Sequence, residues 1–238
     1  MVRPFDDNLI NLMVDTTKFL VHETNAIIGY TQSDEITLIL YSRNRNTLIY
    51  NDGKKQKILS KLTGKCVSFF NQKRRDYFPY YNVIANFDSR IYQTPTLQDA
   101  CAQLIWREND ATKNSISMLA QSVFPHKSLQ NLNGNQLQDK LMLEKNINWS
   151  KLLTRYKRGT YVKRILTGLQ FSSEEIENLP LHHNARNNPE LIVKQHIIKE
   201  VEYPKLTSIN NLKDVIFQDA MPSDVSMTDL FPERIKYT

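Results

Sequence analysis

Apolar residues recur at helical spacing near the start of the chain and then in two short continuous runs. After an aspartate pair at positions 6 and 7, a single apolar stripe is formed by Leu9, Leu12, Met13, Thr16 and Leu20. This spacing predicts a helix that ends near Glu23. The runs 25–30 (NAIIGY) and 36–41 (ITLILY) are apolar on both faces and enclose a polar, acidic segment. They predict a β-hairpin with an acidic turn, whose strands lie centrally in a covered sheet.

The rest of the pattern predicts further helices and one short strand. Residues 52–71 are expected to form a helix with a lysine stripe beside its apolar face, and residues 96–123 a long helix. Residues 73–83, between these two helices, mix aromatic and basic side chains and are expected to form a loop. Residues 87–93 (FDSRIYQ) are expected to form a short strand. Beyond Lys163, prolines interrupt the pattern. This order predicts an α+β fold around a mainly antiparallel sheet, of which the polymerase-like palm is one example.

Composition narrows the class of protein. The chain has 238 residues, 40% of them hydrophobic, which suits one large domain or one domain with an appended arm. Its net charge of +6 and pI of about 9.2 suggest a polyanionic partner. Only Cys66 and Cys101 are available, so neither a disulfide framework nor a zinc cluster is expected. No run approaches the roughly 18 apolar residues of a membrane span, and the first ten residues do not resemble a targeting signal. We therefore predict a soluble, cytoplasmic protein.

The sharpest chemical signal is the pair of adjacent carboxylates, Asp34 and Glu35, between the two predicted hairpin strands. A tight turn on a rigid sheet presents oxygen ligands at a fixed point, as Mg²⁺ requires when it is shared with substrate phosphates. Acidic residues are also common in exposed hairpin turns that bind nothing. On these residues alone, a metal site and an ordinary turn both remain open.

The segment 30–40 (YTQSDEITLIL) resembles the signature hairpin of the tRNA-His guanylyltransferase family. More segments resemble motifs of that family in the same order along the chain: RPFD at 3–6, GKKQKILS at 53–60, FDSR at 87–90, WREND at 106–110, NINW at 146–149 and YKRGT at 156–160. The resemblance covers about residues 3–163. Each piece is weak alone, but their number and order make the resemblance fairly specific.

The resemblance implies a magnesium-dependent nucleotidyltransferase with a palm-like catalytic domain, which in a complete enzyme would hold two Mg²⁺ ions. Asp34 corresponds to a metal ligand of the family, and Glu35 is a second candidate catalytic carboxylate. Two-metal transfer needs bridging carboxylates from at least two places. The family's other aspartate lies on a first strand, upstream of the segment with which this chain begins. We therefore expect the hairpin to lack a neighbouring strand, and the chain by itself to fold but to be catalytically poor.

The resemblance also assigns substrate contacts. GTP and ATP are the implied nucleotides, and the residues that would contact them are Arg3, Asp6, Lys54, Lys57 and Ser60. Lysines on one helix edge can hold triphosphate oxygens, although a bare lysine stripe is more often a solvated helix face. An aspartate just before an apolar helical stripe is usually a helix cap, so Asp6 has a structural alternative.

RNA contacts are implied for Asn114, Lys157 and Arg158. Family members that add G to tRNA-His carry a His-Ile-Asn-Asn motif where this chain reads Thr112 to Ser115 (TKNS). Members without that motif resemble template-dependent 3′-to-5′ repair polymerases, so G addition and repair both remain open.

These inferences predict a tRNA 5′-end nucleotidyltransferase that adds nucleotides in the 3′-to-5′ direction. The expected organisation is a palm-like catalytic domain at 1–163 and a C-terminal extension at 164–238. The expected partners are tRNA, nucleoside triphosphates and further copies of the chain, with no membrane. Two alternatives are a truncated relative that binds tRNA or nucleotide without turnover, and a palm-fold nucleotide cyclase.

Overall fold

The fold is an α+β arrangement in which helices cover an antiparallel sheet, as the sequence predicts. The structure is a computed structural model, and it describes residues 3–42 and 49–223. The strands in these ranges are β1 (Ile28–Gln32), β2 (Glu35–Ile39), β3 (Thr160–Gln170) and β4 (Ile192–Val201). The helices are α1 (Asp7–Thr24), α2 (Lys55–Tyr77), α3 (Leu97–Val123), α4 (Gly134–Lys145), α5 (Thr154–Arg158), α6 (Ser173–Asn178), α7 (Asn184–Asn187) and α8 (Leu212–Phe217).

The sheet has the strand order β2-β1-β3-β4, with every neighbouring pair antiparallel. β1 lies between β2 and β3 and is buried along most of its length. The expectation that both hairpin strands are central is therefore correct for β1 and wrong for β2. In the described part of the chain β2 pairs only with β1, so it is an edge strand and its residues are half-buried or exposed.

α1 lies directly on the hairpin. It begins where Asp6 accepts backbone hydrogen bonds from Asn8 (3.0 Å) and Leu9 (3.2 Å), and its buried face includes Leu12 and Met13. Gly29 permits this contact, because a Cβ there would stand 2.6 Å from the Thr17 methyl group and 2.9 Å from a Val21 methyl group. α1, α2 and α3 each keep one polar face, and no helix in the described ranges is long and apolar enough to cross a membrane.

The region from 203 to 217 is part of the main core, which the weak sequence pattern beyond Lys163 did not indicate. Leu206, Val215 and Ile216 are almost fully buried in one cluster with Ile28 of β1 and Leu104 of α3. The domain boundary predicted at residue 163 lies inside β3. The division into a catalytic domain and an extension stays a prediction, and residues 224–238 lie outside the described ranges.

The strand predicted at residues 87–93 is not present. Side chains of α2 hold this segment and the residues just before it: the Asn71 amide bonds both the N–H and the C=O of Ala85, two residues ahead of the predicted strand, at 2.9 and 2.8 Å. The Ser89 hydroxyl lies 2.5 Å from the Thr63 hydroxyl, and Phe87 packs edge-on against Phe70. A strand needs a neighbour for its ladder, and the described residues supply none here. The α2 helix also continues to Tyr77, into the predicted loop.

Candidate active-site cleft

A two-residue turn at the end of the hairpin carries Asp34 into solvent. Gln32 pairs with Glu35 in the ladder, so only Ser33 and Asp34 form the loop, and Ser33 adopts a left-handed φ of 54°. The Thr31 hydroxyl donates to the Glu35 carbonyl at 3.0 Å and fixes the end of the hairpin. The described residues give the exposed Asp34 carboxylate no ion pair or hydrogen bond, so its oxygens remain available to a ligand.

An open cleft of about 350 Å³ lies between this turn and α3. The turn side of the cleft is formed by residues 32–35, and the α3 side by Asp110, Asn114, Ser117, Met118 and Gln121. The α3 residues recur at spacings of three and four, which places them on one helix face. Asn114 donates a hydrogen bond from Nδ2 to Asp110 Oδ2 at 3.3 Å. The cleft is therefore bordered by carboxylate, amide and hydroxyl groups from two separate elements.

Glu35, unlike Asp34, is already paired. Arg107 Nη1 of α3 lies 2.8 Å from Glu35 Oε2, and the Arg107 side chain is only 20% exposed. The Arg107 guanidinium also stacks on the Trp106 ring, with its carbon 4.4 Å from the ring centre. The turn is thus attached to α3 through its second carboxylate.

The implied Mg²⁺ can be tested against these donors. Asp34 supplies an unpaired carboxylate on a rigid turn, which fits one ion that keeps most of its waters. Within the described ranges no group of three or more His, Cys, Asp or Glu side chains lies together as a metal centre would need. The described residues therefore fit a single, largely hydrated ion at Asp34, and they do not assemble the two-ion arrangement expected from the resemblance.

Behind the cleft, α3 is anchored by a buried carboxylate. Glu108 is 1% exposed, and its two oxygens accept from the Leu206 backbone N–H at 2.9 Å and from the Tyr161 hydroxyl at 3.3 Å. Burial raises the pKa of Glu108, and the bond from Leu206 and the nearby Arg158 oppose the shift. These bonds join α3 to β3 and to the buried region 203–217, so they fix the helix that forms one side of the cleft.

Comparison with known proteins decides the family. A family profile described as tRNAHis guanylyltransferase matches residues 1–95. A bacterial tRNA(His) guanylyltransferase-like protein, solved in complex with ATP, is 41% identical with a TM-score of 0.65. That likeness covers 68% of this chain and 71% of the bacterial one. This chain belongs to the tRNA-His guanylyltransferase family.

Other relatives of this family member are more distant. A bacterial tRNA(His) guanylyltransferase-like protein in complex with GTP is 28% identical, with a TM-score of 0.63 over 87% of this chain and 76% of that one. The tRNA(His) guanylyltransferase of Saccharomyces cerevisiae is 24% identical, with a TM-score of 0.59 over 68% and 76% of the two chains, and supports the fold. An uncharacterized protein of Acanthamoeba polyphaga mimivirus is 26% identical over 189 residues, and the match spans 64% of that relative.

The nucleotide-contact residues predicted for this guanylyltransferase-family chain lie outside the cleft lining. Lys54 and Lys57 are exposed at the start of α2, and Lys54 is 3.7 Å from Asp52 in a surface ion pair. The Ser60 hydroxyl donates to the Lys57 carbonyl at 3.3 Å, and Arg3 is exposed before α1. Asp6 caps α1, the role that an aspartate just before an apolar helical stripe usually has. Their nucleotide contacts stay predictions.

Of the three predicted RNA contacts, only Asn114 lines the cleft. The Lys157 ammonium donates to the Ser150 carbonyl at 2.6 Å, and burial lowers the pKa of Lys157. Arg158 Nη2 donates to the Tyr203 carbonyl at 3.4 Å, and its Nε lies 4.0 Å from Glu108. Lys157 and Arg158 therefore make contacts inside the protein, and their RNA binding stays a prediction.

Sequence reasoning gave no role to several residues of this site. Arg107 and Asp110 belong to the WREND segment, but the chain holds no local signal that Arg107 reaches a glutamate 72 residues away. The polar face that continues through Ser117 and Gln121 was visible as a three- and four-residue spacing within the long predicted helix.

Proposed function

We propose that this chain is a tRNA 5′-end nucleotidyltransferase that adds nucleotides in the 3′-to-5′ direction, with Mg²⁺ and with ATP and GTP as substrates. The cleft between the acidic turn and α3, in a member of the tRNA-His guanylyltransferase family, carries this proposal. Its volume of about 350 Å³ lies within the range of small-ligand sites. The bacterial relatives solved with ATP and with GTP support the choice of nucleotides.

The proposed reaction has two steps. The 5′ phosphate of tRNA first attacks the α-phosphorus of a nucleoside triphosphate, so that a nucleotidyl group is joined to the 5′ end and pyrophosphate leaves. The 3′ hydroxyl of the incoming nucleotide then attacks the activated 5′ phosphorus, and the nucleoside monophosphate leaves. Bound Mg²⁺ supplies positive charge to the phosphate oxygens. Asp34 is the proposed protein ligand because its carboxylate has no described partner and borders the cleft.

The start of α2 is suited to the triphosphate. Backbone N–H groups at a helix N-terminus point outward and favour anions, and α2 is 23 residues long. Lys54 precedes the first residue of this helix, and Lys57 lies in its first turn. The ion pair of Lys54 with Asp52 joins two side chains that are 60% and 54% exposed, so it is weak enough to exchange for phosphate. We propose that these lysines hold triphosphate oxygens together with Ser60, one turn further along α2. Arg3, which lies before α1, is proposed as a separate phosphate contact.

A second candidate function is binding of tRNA or nucleotide without turnover. One observation favours it: the described residues assemble no cluster of three metal-ligating side chains. A chain of this kind would bind tRNA through its basic surface, which the net charge of +6 supports, and would leave its 5′ end unchanged.

The test is a 5′-extension assay. A tRNA that lacks its first nucleotide and carries a 5′ monophosphate is incubated with the chain, Mg²⁺, ATP and labelled GTP, CTP or UTP. Template-dependent repair predicts incorporation of the nucleotide complementary to the opposing base, and G addition predicts an extra G on full-length tRNA-His alone. Binding of either tRNA without incorporation would support the second candidate. Light scattering of the same samples measures the predicted homo-oligomer, and cell fractionation the predicted cytoplasmic location.

A further inference from the structure

The attachment of Glu35 to α3 gives the two adjacent carboxylates different environments. Glu35 Oε2 and Arg107 Nη1 are 2.8 Å apart, within the distance of a charge-assisted hydrogen bond. The Asp34 carboxylate, one residue earlier, has no partner in the described part of the chain. Of the two carboxylates on the turn, Glu35 is therefore paired with a positive charge, and Asp34 remains available to a ligand.

Trp106 explains how the arginine is kept in place. Its side chain is 58% exposed, which is unusual for a tryptophan on an amphipathic helix. The guanidinium of the next residue, Arg107, lies 4.4 Å from the centre of its ring. A flat guanidinium stacked on an indole loses much of its freedom to rotate, so the fork that faces Glu35 is oriented in advance.

We propose that Arg107 is a positioning residue that holds the Glu35 carboxylate against α3 and leaves Asp34 as the carboxylate of the turn that meets a cation. This inference rests on the proposed function, because it concerns the ion that Asp34 would bind. The positive charge of Arg107, 2.8 Å from Glu35 Oε2, neutralises this carboxylate and repels a second cation, so Glu35 is a weaker metal ligand than Asp34. Arg107 thus removes Glu35 from the ligand set while it fixes the turn that carries Asp34.

The first test measures the attachment itself in metal-free protein. Hydrogen exchange of the amides in residues 32–36 should become about two- to fivefold faster in Arg107→Ala, the range that loss of one partly exposed ion pair allows. Lys113→Ala is the matched control, because it removes an exposed cation from the same helix without touching Glu35. Equal exchange rates in the two variants would overturn the proposal.

The second test measures Mn²⁺ binding by electron paramagnetic resonance, without nucleotide. Arg107→Ala should bind Mn²⁺ about three- to tenfold more tightly than wild type, because a second carboxylate is released and a nearby positive charge is lost. Glu35→Gln alone should change the affinity little. The double variant Arg107→Ala/Glu35→Gln should lose most of the gain, which a role limited to stabilising the fold would not produce.

Three results would contradict this account in different ways. Weaker Mn²⁺ binding in Glu35→Gln, as strong as in Asp34→Ala, would make Glu35 a ligand and overturn the proposal. Loss of triphosphate binding in Arg107→Ala, with no gain for Mn²⁺, would make Arg107 a phosphate contact and overturn it as well. Equal Mn²⁺ binding by wild type and Asp34→Ala would contradict the metal site of the proposed function, whereas the exchange rates would still decide the attachment.

Discussion

Glu108 and Asp110 lie two residues apart on α3, yet they belong to different environments. Glu108 is 1% exposed and accepts hydrogen bonds on both oxygens, from a backbone N–H and a tyrosine. Asp110 is half-buried, faces the open cleft and receives one amide contact from Asn114. A carboxylate whose bonds are all made within the protein stabilises the fold, and one that keeps free oxygens at a cleft can bind a ligand. Asp34 belongs to the second kind.

The largest effect on activity is expected from removing Asp34, the exposed carboxylate beside the cleft. Asp34→Ala should lower the rate of 5′ nucleotide addition by about a thousandfold, because the proposed ion loses its protein ligand and with it several kcal/mol of transition-state stabilisation. The melting temperature should hardly change, since the side chain is exposed. Asp139→Ala, an exposed aspartate on α4, is the control. Near-normal activity of Asp34→Ala would contradict the proposed difference in role between Asp34 and the buried Glu108.

Replacing Glu108, the buried carboxylate, should instead lower the stability of the fold. Glu108→Ala should lower the free energy of unfolding by about 3 kcal/mol, because the Leu206 N–H and the Tyr161 hydroxyl lose their acceptor inside the core. Chemical denaturation measures this change. Glu144→Ala breaks an exposed pair with Lys140 and should cost less than about 0.5 kcal/mol. If both variants lose equally little, burial does not set the role of Glu108.

Lys54 and Lys57 differ from Lys157 in that their ammonium groups are exposed, whereas the Lys157 ammonium bonds a backbone carbonyl. Replacing Lys54 and Lys57 together by Ala should weaken triphosphate binding about tenfold and tRNA binding less, because both ammonium groups are exposed at the start of α2. Lys157→Ala should lower stability slightly, since its ammonium bonds the Ser150 carbonyl, should weaken tRNA binding if the predicted RNA contact exists, and should leave GTP binding unchanged. Fluorescence titration with labelled GTP and labelled tRNA separates the two ligands. A larger loss for tRNA than for GTP in the double variant would make the lysines an RNA-backbone contact.

A smaller effect concerns pH. The pKa of Glu108 is raised by burial, so between its unfolded and folded pKa values the folded state holds a proton that the unfolded state has lost. Stability from this group is therefore fully present below the unfolded pKa and is lost as pH rises through the folded pKa. Unfolding free energies measured from acid to neutral pH should show this decline in wild type, and Glu108→Gln should lack it. Parallel curves for the two proteins would contradict the assignment.

Local sequence signals predicted the elements whose apolar pattern is regular along the chain. Periodicity gave α1, the hairpin and α3, and the acidic pair at 34 and 35 pointed to the turn. Residues 87–93 have strand-like composition, but Ser89 bonds Thr63 of α2 and Phe87 packs on Phe70 of α2, and no local pattern reveals these contacts. The buried region 203–217 was missed because its short elements acquire their apolar surroundings from β1 and α3.

For the site, local sequence could predict the place of Asp34 on the turn, and its role as a metal ligand stays a prediction. Asp34 is recognisable because its neighbours in sequence are also its neighbours in space. The pairing of Glu35 with Arg107 joins residues 72 positions apart, and only the folded chain brings them together. Lys157 and Arg158 are assigned to RNA through their motif; their side chains bond the carbonyls of Ser150 and Tyr203, and their RNA binding stays a prediction.

The proposed function depends most directly on a metal ion bound in the cleft beside Asp34. Crystals grown with MnCl₂ and a non-hydrolysable GTP analogue, measured near the manganese absorption edge, locate the ion directly by anomalous scattering. We expect a peak within bonding distance of Asp34, with Glu35 still paired to Arg107. A manganese peak remote from Asp34 would contradict this assignment.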